Sequence, residues 1–129
     1  MRPVYLFALA LAVACATPGT SGTSDPSAPR QDPNVISQQE LSSVPASNLY
    51  DLVEKLRPNF LRARGQTSIS LSGSEYPTVY LDGRSYGDLA SLRSIIPNQV
   101  RQVRYYSSAD AAARFGMQNS SGVIDVTSR

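Results

Sequence analysis

The clearest hydrophobic pattern in the chain is a stripe of four aliphatic residues at helical spacing, Leu49, Leu52, Val53 and Leu56. Residues at positions i, i+3, i+4 and i+7 lie on one face of an α-helix, so the stripe predicts an amphipathic helix. Ser47 or Asn48 can cap the start of this helix, and Pro58 ends it at Arg57.

Three polar residues mark the starts of further short helices. Ser37 and Ser107 each stand three residues before an acidic side chain, which is the spacing of a capping box. The alanine-rich stretch after Ser107 favours helix, and Gly116 suits the position just beyond its end. Asp88 can cap a third helix, which Pro97 ends. The apolar residues of this third helix are Leu89, Leu92 and Ile96.

Four other stretches predict β-strands, by alternating apolar residues or by turn residues at their ends. They are residues 67–73, 78–81, 100–107 and 123–128. In the third stretch Val103 and Tyr105 lie on one face, and after the second Asp82 begins a tight turn. Strands interspersed with short helices predict an α+β fold over residues 35–129, with helices packed on a small mixed sheet.

Residues 1–14 have the layout of a secretory signal peptide. Arg2 supplies the positive charge, and the apolar run of residues 4–13 is too short to cross a hydrocarbon core of about 30 Å as a helix. The run ends in Ala-Val-Ala before Cys15, the only cysteine, and this ending resembles the bacterial lipobox. The resemblance implies that Cys15 carries lipid, palmitate included. The alternative is an ordinary secretory signal with Cys15 near its cleavage site by chance.

Residues 15–34 predict a lipidated cysteine followed by a flexible tether. The stretch holds four of the nine prolines and no apolar residue larger than alanine beyond Cys15, so it buries too little surface to fold. Ala16, rather than aspartate, follows the cysteine, which in lipoproteins implies the outer membrane. We therefore expect an exported protein, lipid-anchored to the outer membrane and facing the periplasm.

The composition of the chain argues against several classes of function. The 129 residues include 12 basic and 10 acidic ones, and a net charge of +2 gives no long-range attraction to nucleic acid or anionic membrane. The sequence has no histidine, the commonest general base and nitrogen ligand of metals. No two carboxylates have the spacing of an acid–base pair. We expect no catalytic residue, no metal and no cofactor.

The C-terminal half has an ordered series of motifs: a strand before Asp-Gly, an aliphatic strand, an alanine-rich helix closing on an aromatic–Gly pair, and a last Gly-Val-Ile strand. The residues that carry these motifs are Val79, Asp82, Gly83, Val100, Val103, residues 111–113, Phe115, Gly116, Gly122, Val123, Ile124 and Thr127. This order resembles the plug domain of TonB-dependent outer-membrane receptors. The likeness covers about residues 35–129 and implies a plug-like α+β domain.

Two departures from that family limit what the resemblance implies about function. The receptor plug lies inside a β-barrel formed by the same chain, whereas this chain ends at Arg129, directly after the plug-like strand. We therefore expect no barrel. The tether also shows no TonB box, the family's energy-coupling contact. The resemblance implies the fold and not transport.

Several candidate functional residues have a structural alternative. Asp82 can act as an acid, a base or a metal ligand, but Asp before Gly at a strand end favours a turn, with Gly83 at positive φ. Gly116 and Gly122 are expected at structural turns as well. None of these four residues is assigned a catalytic role.

A possible interaction surface is predicted from two residue types. Arg62 and Arg64 can bind a carboxylate or phosphate, although a solvated helix end is the alternative. Tyr86 and Tyr106 are candidates for an exposed contact surface, because tyrosine is enriched at interfaces. Arg104 lies on a predicted strand and is not expected to form a basic patch with its neighbour three residues earlier.

Two functions from different classes follow. The first is a non-catalytic module, anchored to the membrane through Cys15, that contacts another envelope protein such as an outer-membrane receptor. The second is a small envelope hydrolase or other periplasmic enzyme, in which a serine nucleophile would need Lys55 or a lone carboxylate as its base. The tether favours the first function, because it raises the effective concentration of the domain near a membrane partner.

Overall fold

Five strands form one mixed sheet in the computed structural model of the chain, which describes residues 31–63 and 74–129. The strands are β1 (Val35–Ile36), β2 (Thr78–Leu81), β3 (Arg84–Gly87), β4 (Val100–Tyr106) and β5 (Val123–Ser128). Their order is β1-β4-β5-β2-β3, so the last strand in the sequence lies at the centre. β2 and β5 are parallel, and the other neighbours are antiparallel.

Short helices connect these strands. The α-helices are α1 (Gln38–Ser43), α2 (Leu49–Leu56) and α3 (Ser108–Phe115). The 3₁₀ helices are Pro58–Leu61, Leu89–Ser94, Pro97–Gln99 and Met117–Asn119. A mixed sheet with packed helices confirms the α+β prediction. Within the described ranges, no helix has the length and apolar character needed to cross a membrane. The signal peptide, Cys15 and the predicted strand at residues 67–73 lie outside those ranges.

Helix α2 forms where the apolar stripe predicts it, with the expected cap and end. The Asn48 side chain accepts a hydrogen bond from the backbone N–H of Asp51 at 2.9 Å. At the other end the Arg57 N–H donates to the Val53 carbonyl at 2.7 Å, and Pro58 has no N–H with which to continue the helix. The buried residues of α2 are Leu49, Leu52 and Val53.

An ion pair joins α1 to the end of α2. Ser37 and Glu40 form the predicted capping box, with the Ser37 N–H donating to Glu40 Oε2 at 2.9 Å. Arg57 Nη2 lies 2.9 Å from the other carboxylate oxygen, Oε1. Burial alone raises the pKa of Glu40, but the hydrogen bonds from Ser37 and Arg57 outweigh it and hold this pKa below its ordinary value. The carboxylate is therefore charged in the folded domain at neutral pH.

One face of the sheet carries the main hydrophobic core. The sheet residues in this core are Val79, Val100, Val103, Tyr105, Ile124 and Val126, and they pack with the buried residues of α2. The Phe60 ring stacks on Tyr105 with centroids 5.1 Å apart. The shared face predicted for Val103 and Tyr105 is confirmed. Because successive strand residues point to opposite sides, Arg104 and Tyr106 belong to the second face of the sheet.

The prediction that Ile96 belongs to the apolar side of the third short helix is wrong. Ile95 is buried, whereas Ile96 is 50% exposed. The segment Leu89–Ser94 is a 3₁₀ helix, which has three residues per turn. This period aligns Leu89, Leu92 and Ile95 on one side, so the fourth apolar residue is left facing solvent.

Candidate interaction surface

Helix α3 covers part of the second face of the sheet. It begins at Ser107, whose hydroxyl accepts a hydrogen bond from the Asp110 N–H at 3.5 Å and donates one to Asp110 Oδ2 at 2.7 Å. Ala111 is fully buried, and its small side chain allows the helix to lie close to the sheet. Gly116 ends the helix with φ at 101°, a backbone conformation that favours glycine.

Aromatic packing fixes the end of α3 on the sheet. The Phe115 ring lies between two tyrosines, with centroid distances of 4.5 Å to Tyr80 and 5.3 Å to Tyr106. The Arg114 guanidinium lies 5.4 Å from the centroid of the Tyr106 ring, within the range of a cation–π contact. Each aromatic pair contributes about 0.5–1.5 kcal/mol beyond the area it buries, so this end of the helix is firmly placed.

Asn119 is a buried polar residue that sequence reasoning missed. Its side-chain amide donates to the Tyr80 hydroxyl at 3.2 Å and to the Phe115 carbonyl at 3.0 Å. These bonds attach the loop between α3 and β5 to the aromatic cluster. The sequence shows only a polar loop at this point, and nothing there distinguishes Asn119 from its polar neighbours.

An open groove of about 460 Å³, here called the α3 groove, lies between α3 and the segment that leads into β1. Arg104 and Tyr106 of β4 line it between these two walls. The wall formed by the segment is fixed to the sheet, because the Tyr105 N–H donates to the Asn34 carbonyl at 2.8 Å. Asp32 also lines the groove on this wall, and Asp110, Ala113 and Arg114 line it on the α3 wall.

The acidic and basic residues of the α3 groove differ in their local partners. Asp110 bonds to its own cap residue, and Asp32 Oδ1 accepts a hydrogen bond from the Asn34 N–H at 2.9 Å. By contrast, neither Arg104 nor Arg114 forms a hydrogen bond or an ion pair with any residue in the two described ranges. The groove therefore presents two guanidinium groups whose N–H donors are not bound to any acceptor in the described residues.

Asp125 lies beside this groove on the central strand, and it is the direct cross-strand neighbour of Arg104. Its Oδ1 atom is buried and has no hydrogen-bond partner in the described part of the chain. Burial raises the pKa of Asp125, the nearby positive charges of Arg114 and Arg104 oppose the rise, and the negative charge of Asp82 adds to it. The net effect is a raised pKa, so the folded domain disfavours the charged form of this carboxylate.

The predicted contact tyrosines do not lie together. Tyr86 on β3 is 43% exposed, and its hydroxyl lies 3.1 Å from Ser94 Oγ, in the 3₁₀ helix on the core side of the sheet. Tyr106 is half-buried beneath α3 on the second face. Arg62 is exposed just after the 3₁₀ helix Pro58–Leu61, and Arg64 lies outside the described residues. The structure therefore groups Tyr106 with Arg104 and Arg114 instead.

The predicted turn residues have the backbone conformations that turns require. Asp82 and Gly83 join β2 to β3 with φ at 50° and 77°. Gly122 precedes β5 with φ at 100°, and a Cβ atom there would lie 2.7 Å from the Tyr105 hydroxyl oxygen. Asp82 bonds to Ser128 of β5. Its contacts are those of a structural residue that joins two parts of the sheet.

Metal-binding clusters are absent from residues 31–63 and 74–129. No group of three or more histidine, cysteine, aspartate or glutamate side chains in these ranges is arranged to hold a metal ion. The chemistry that the described surface offers is instead that of the α3 groove, where arginine and tyrosine side chains face solvent.

The folded domain matches a known protein family. The family model of the TonB-dependent Receptor Plug Domain matches residues 27–123, which include helices α1, α2 and α3 and reach the first residue of β5. No curated protein matches the chain.

Proposed function

The chain belongs to the TonB-dependent receptor plug domain family, and we propose that it acts in the bacterial envelope as a non-catalytic protein-interaction module. The observation that carries this proposal is the family match over the folded domain, which includes the α3 groove. The plug domain belongs to outer-membrane receptors, which supports an envelope location and contact with other envelope proteins.

The chemistry of the chain supports a role without catalysis. The sequence contains no histidine, so a serine nucleophile would lack its usual general base. Lys55 is the only lysine, and its ammonium group donates to the Pro45 carbonyl at 3.0 Å. This contact engages the Lys55 side chain with the backbone, whereas a general base must reach the hydroxyl of its nucleophile.

We further propose that lipid on Cys15 attaches the protein to the outer membrane, with the domain in the periplasm. Residues 16–30 then serve as the tether, with a root-mean-square reach of about 20 Å, because the segment from Asp32 to Asn34 is bonded to the domain. A partner in the same membrane, such as an outer-membrane receptor, meets the domain at a raised effective concentration. The lipobox-like sequence and the proline-rich, polar tether support this arrangement.

Photo-crosslinking in intact cells tests the interaction role. A photoreactive phenylalanine analogue is placed at one of three exposed positions, Glu54, Tyr86 or Ala113. These positions lie on α2, on β3 and on the rim of the α3 groove, so they sample different sides of the domain. We expect at least one of the three positions in the full-length chain to give light-dependent capture of an envelope protein. If two positions capture a protein, it should be the same one.

Two results would contradict the proposed function. One is the absence of any light-dependent product at all three positions in cells where the protein is present at its normal level. The other is turnover of an envelope substrate by the purified protein, abolished by substitution of a single residue. The second result would favour the small envelope hydrolase or other periplasmic enzyme.

A further inference from the structure

We propose that the α3 groove is a docking site for an extended acidic segment of a partner protein, whose carboxylate side chains bind Arg104 and Arg114. This inference rests on the proposed function, because it names the chemistry of the partner in that function. It goes beyond the family match, which carries no information about which surface is used.

The first support is the supply of hydrogen-bond donors in the α3 groove. Each guanidinium offers five N–H donors in a planar fork that fits a carboxylate with two parallel bonds. Neither Arg104 nor Arg114 donates to an acceptor in the described residues, while both groove aspartates already accept bonds from their own turn or cap. The group that this site lacks is therefore an anionic acceptor.

The second support is the fixed position of the two arginines. Arg104 lies on β4, which has strand neighbours on both sides, and Arg114 lies over the Tyr106 ring at the end of α3. Both line the same groove, and Arg104 is the cross-strand neighbour of Asp125, so the two arginines lie on one side of the sheet. The backbone positions of both arginines are set by the sheet and the helix, so binding needs no ordering of the main chain that carries them.

The shape and charge of the groove favour a peptide over an anionic membrane surface. The space of about 460 Å³ lies between two walls, so it admits a few side chains of a segment and not a flat layer of headgroups. Asp32 and Asp110 stand on these walls, where they repel the phosphates of a dense layer. An extended segment with spaced carboxylates can instead place these at the arginines and donate its backbone N–H groups to the aspartates. A net charge of +2 adds little attraction to a membrane.

The test uses the purified full-length chain in detergent and two capped pentapeptides, Gly-Glu-Gly-Glu-Gly and Gly-Gln-Gly-Gln-Gly. Calorimetric titration should show that the glutamate peptide binds at least tenfold more tightly than the glutamine peptide. Replacing both groove arginines, Arg104→Gln with Arg114→Gln, should weaken binding of the glutamate peptide at least tenfold. The matched control is Arg101→Gln, an exposed arginine of β4 outside the groove, which should change binding less than twofold.

A second pair of variants keeps the test decisive if the double substitution disturbs folding. Arg104→Lys and Arg114→Lys keep the charge and lose the planar fork, so each should weaken binding several-fold while the far-ultraviolet spectrum is unchanged. Equal affinity for the two peptides, or an equal loss in the Arg101→Gln control, would overturn the proposal. Binding to phosphatidylglycerol vesicles that depends on both groove arginines, without binding of the glutamate peptide, would also overturn it and assign the groove to membrane.

The in-cell crosslinking experiment separates this inference from the function on which it rests. If the Arg104→Gln and Arg114→Gln double variant captures the same partner as the wild type, with equal yield, the groove proposal is wrong and the interaction function stands. If no partner is captured from any position while the glutamate peptide binds as expected, the interaction function is wrong and the chemistry assigned to the groove stands.

Discussion

The carboxylate of Asp82 accepts two hydrogen bonds from Ser128, one from the backbone N–H at 2.8 Å and one from the hydroxyl at 2.7 Å. The turn between β2 and β3 is thereby attached to the end of the central strand, 46 residues later in the chain. Both bonds favour the charged carboxylate, and they hold the pKa of Asp82 below its ordinary value of 3.8. This residue has a structural role that depends on its charge.

Asp82→Asn should lower the thermal unfolding midpoint at pH 7, because one charge-assisted acceptor of Ser128 is lost. The Asp82 pKa is lower in the folded state, so its contribution to stability is present above pH 3.8 and is lost as the pH falls through the folded pKa. The difference between the variant and the wild type should therefore shrink in acid. Thermal unfolding at pH 7 and pH 2 measures the difference in midpoint between the variant and the wild type, with Glu54→Gln at an exposed position as the control. A midpoint difference that does not change with pH would contradict the prediction.

Leu52→Ala should lower the free energy of unfolding by about 2–5 kcal/mol, because the leucine side chain is fully buried among the core residues of α2 and the sheet. Urea unfolding followed by circular dichroism gives the value. Glu54→Ala, two residues later on the exposed side of the same helix, should change it by less than about 0.5 kcal/mol. Similar losses in the two variants would mean that the buried face of α2 is assigned incorrectly.

Gly122→Ala should lower the free energy of unfolding by about 1–3 kcal/mol from backbone strain, with a steric loss in addition. The steric part arises because the new methyl group would meet the Tyr105 hydroxyl at 2.7 Å. Gly83→Ala is a matched control, since its φ is also positive but no atom lies within 4 Å of the added carbon. Gly122→Ala should cost more stability than Gly83→Ala. The cost of Gly122→Ala should itself decrease when it is measured in a Tyr105→Phe background, which lacks the hydroxyl.

Asp125→Asn should stabilise the domain at pH 7 by up to about 1 kcal/mol, a small gain because solvent still screens the half-buried carboxyl. The pKa of Asp125 is higher in the folded state, so folding loses stability as the pH rises from the ordinary value of 3.8 through the folded value. Asparagine carries no charge, so the variant does not lose this stability as the pH rises. The stability difference between the variant and the wild type should vanish near pH 3, where Asp125 is protonated in both the folded and the unfolded state. Urea unfolding at both pH values tests this; a variant less stable at pH 7 would show that Arg104 and Arg114 outweigh burial.

Cys15→Ser should abolish incorporation of a fatty-acid probe and release the protein into the soluble fraction of the cell. The reason is that the sequence has no other cysteine to carry the lipid. Metabolic labelling followed by membrane fractionation compares the variant with the wild type. Equal labelling, or equal release of the two proteins, would contradict lipid attachment at this residue.

Local patterns were sufficient to predict much of the fold. The α2 stripe with Pro58, the cap at Ser107 and the Asp82 turn depend on residues within one or two turns of each other, so the sequence displays them directly. The choice between Ile95 and Ile96 depended on whether the helix period was 3.0 or 3.6. That period depends on how the segment packs, and neighbouring residues do not specify it.

The α3 groove could not be predicted in the same way. Arg104 and Arg114 are ten residues apart on a strand and on a helix, and only the packing of α3 on the sheet brings both to one groove. Asp125 becomes a neighbour of Arg104 through the register of β4 with β5, which a single sequence does not fix. Tyr106 was predicted as a contact residue by type alone, and its partners in the groove were missed.

The central position of β5 has a consequence for the order in which the protein can fold. β2 and β4 both pair with β5, so the two halves of the sheet have no common neighbour until residues 123–128 have left the ribosome. A nascent chain lacking this strand cannot complete its sheet, and long-range pairing of this kind forms slowly. A domain whose sheet closes only with its last strand stays unfolded for longer during synthesis, which suits the export that is proposed here.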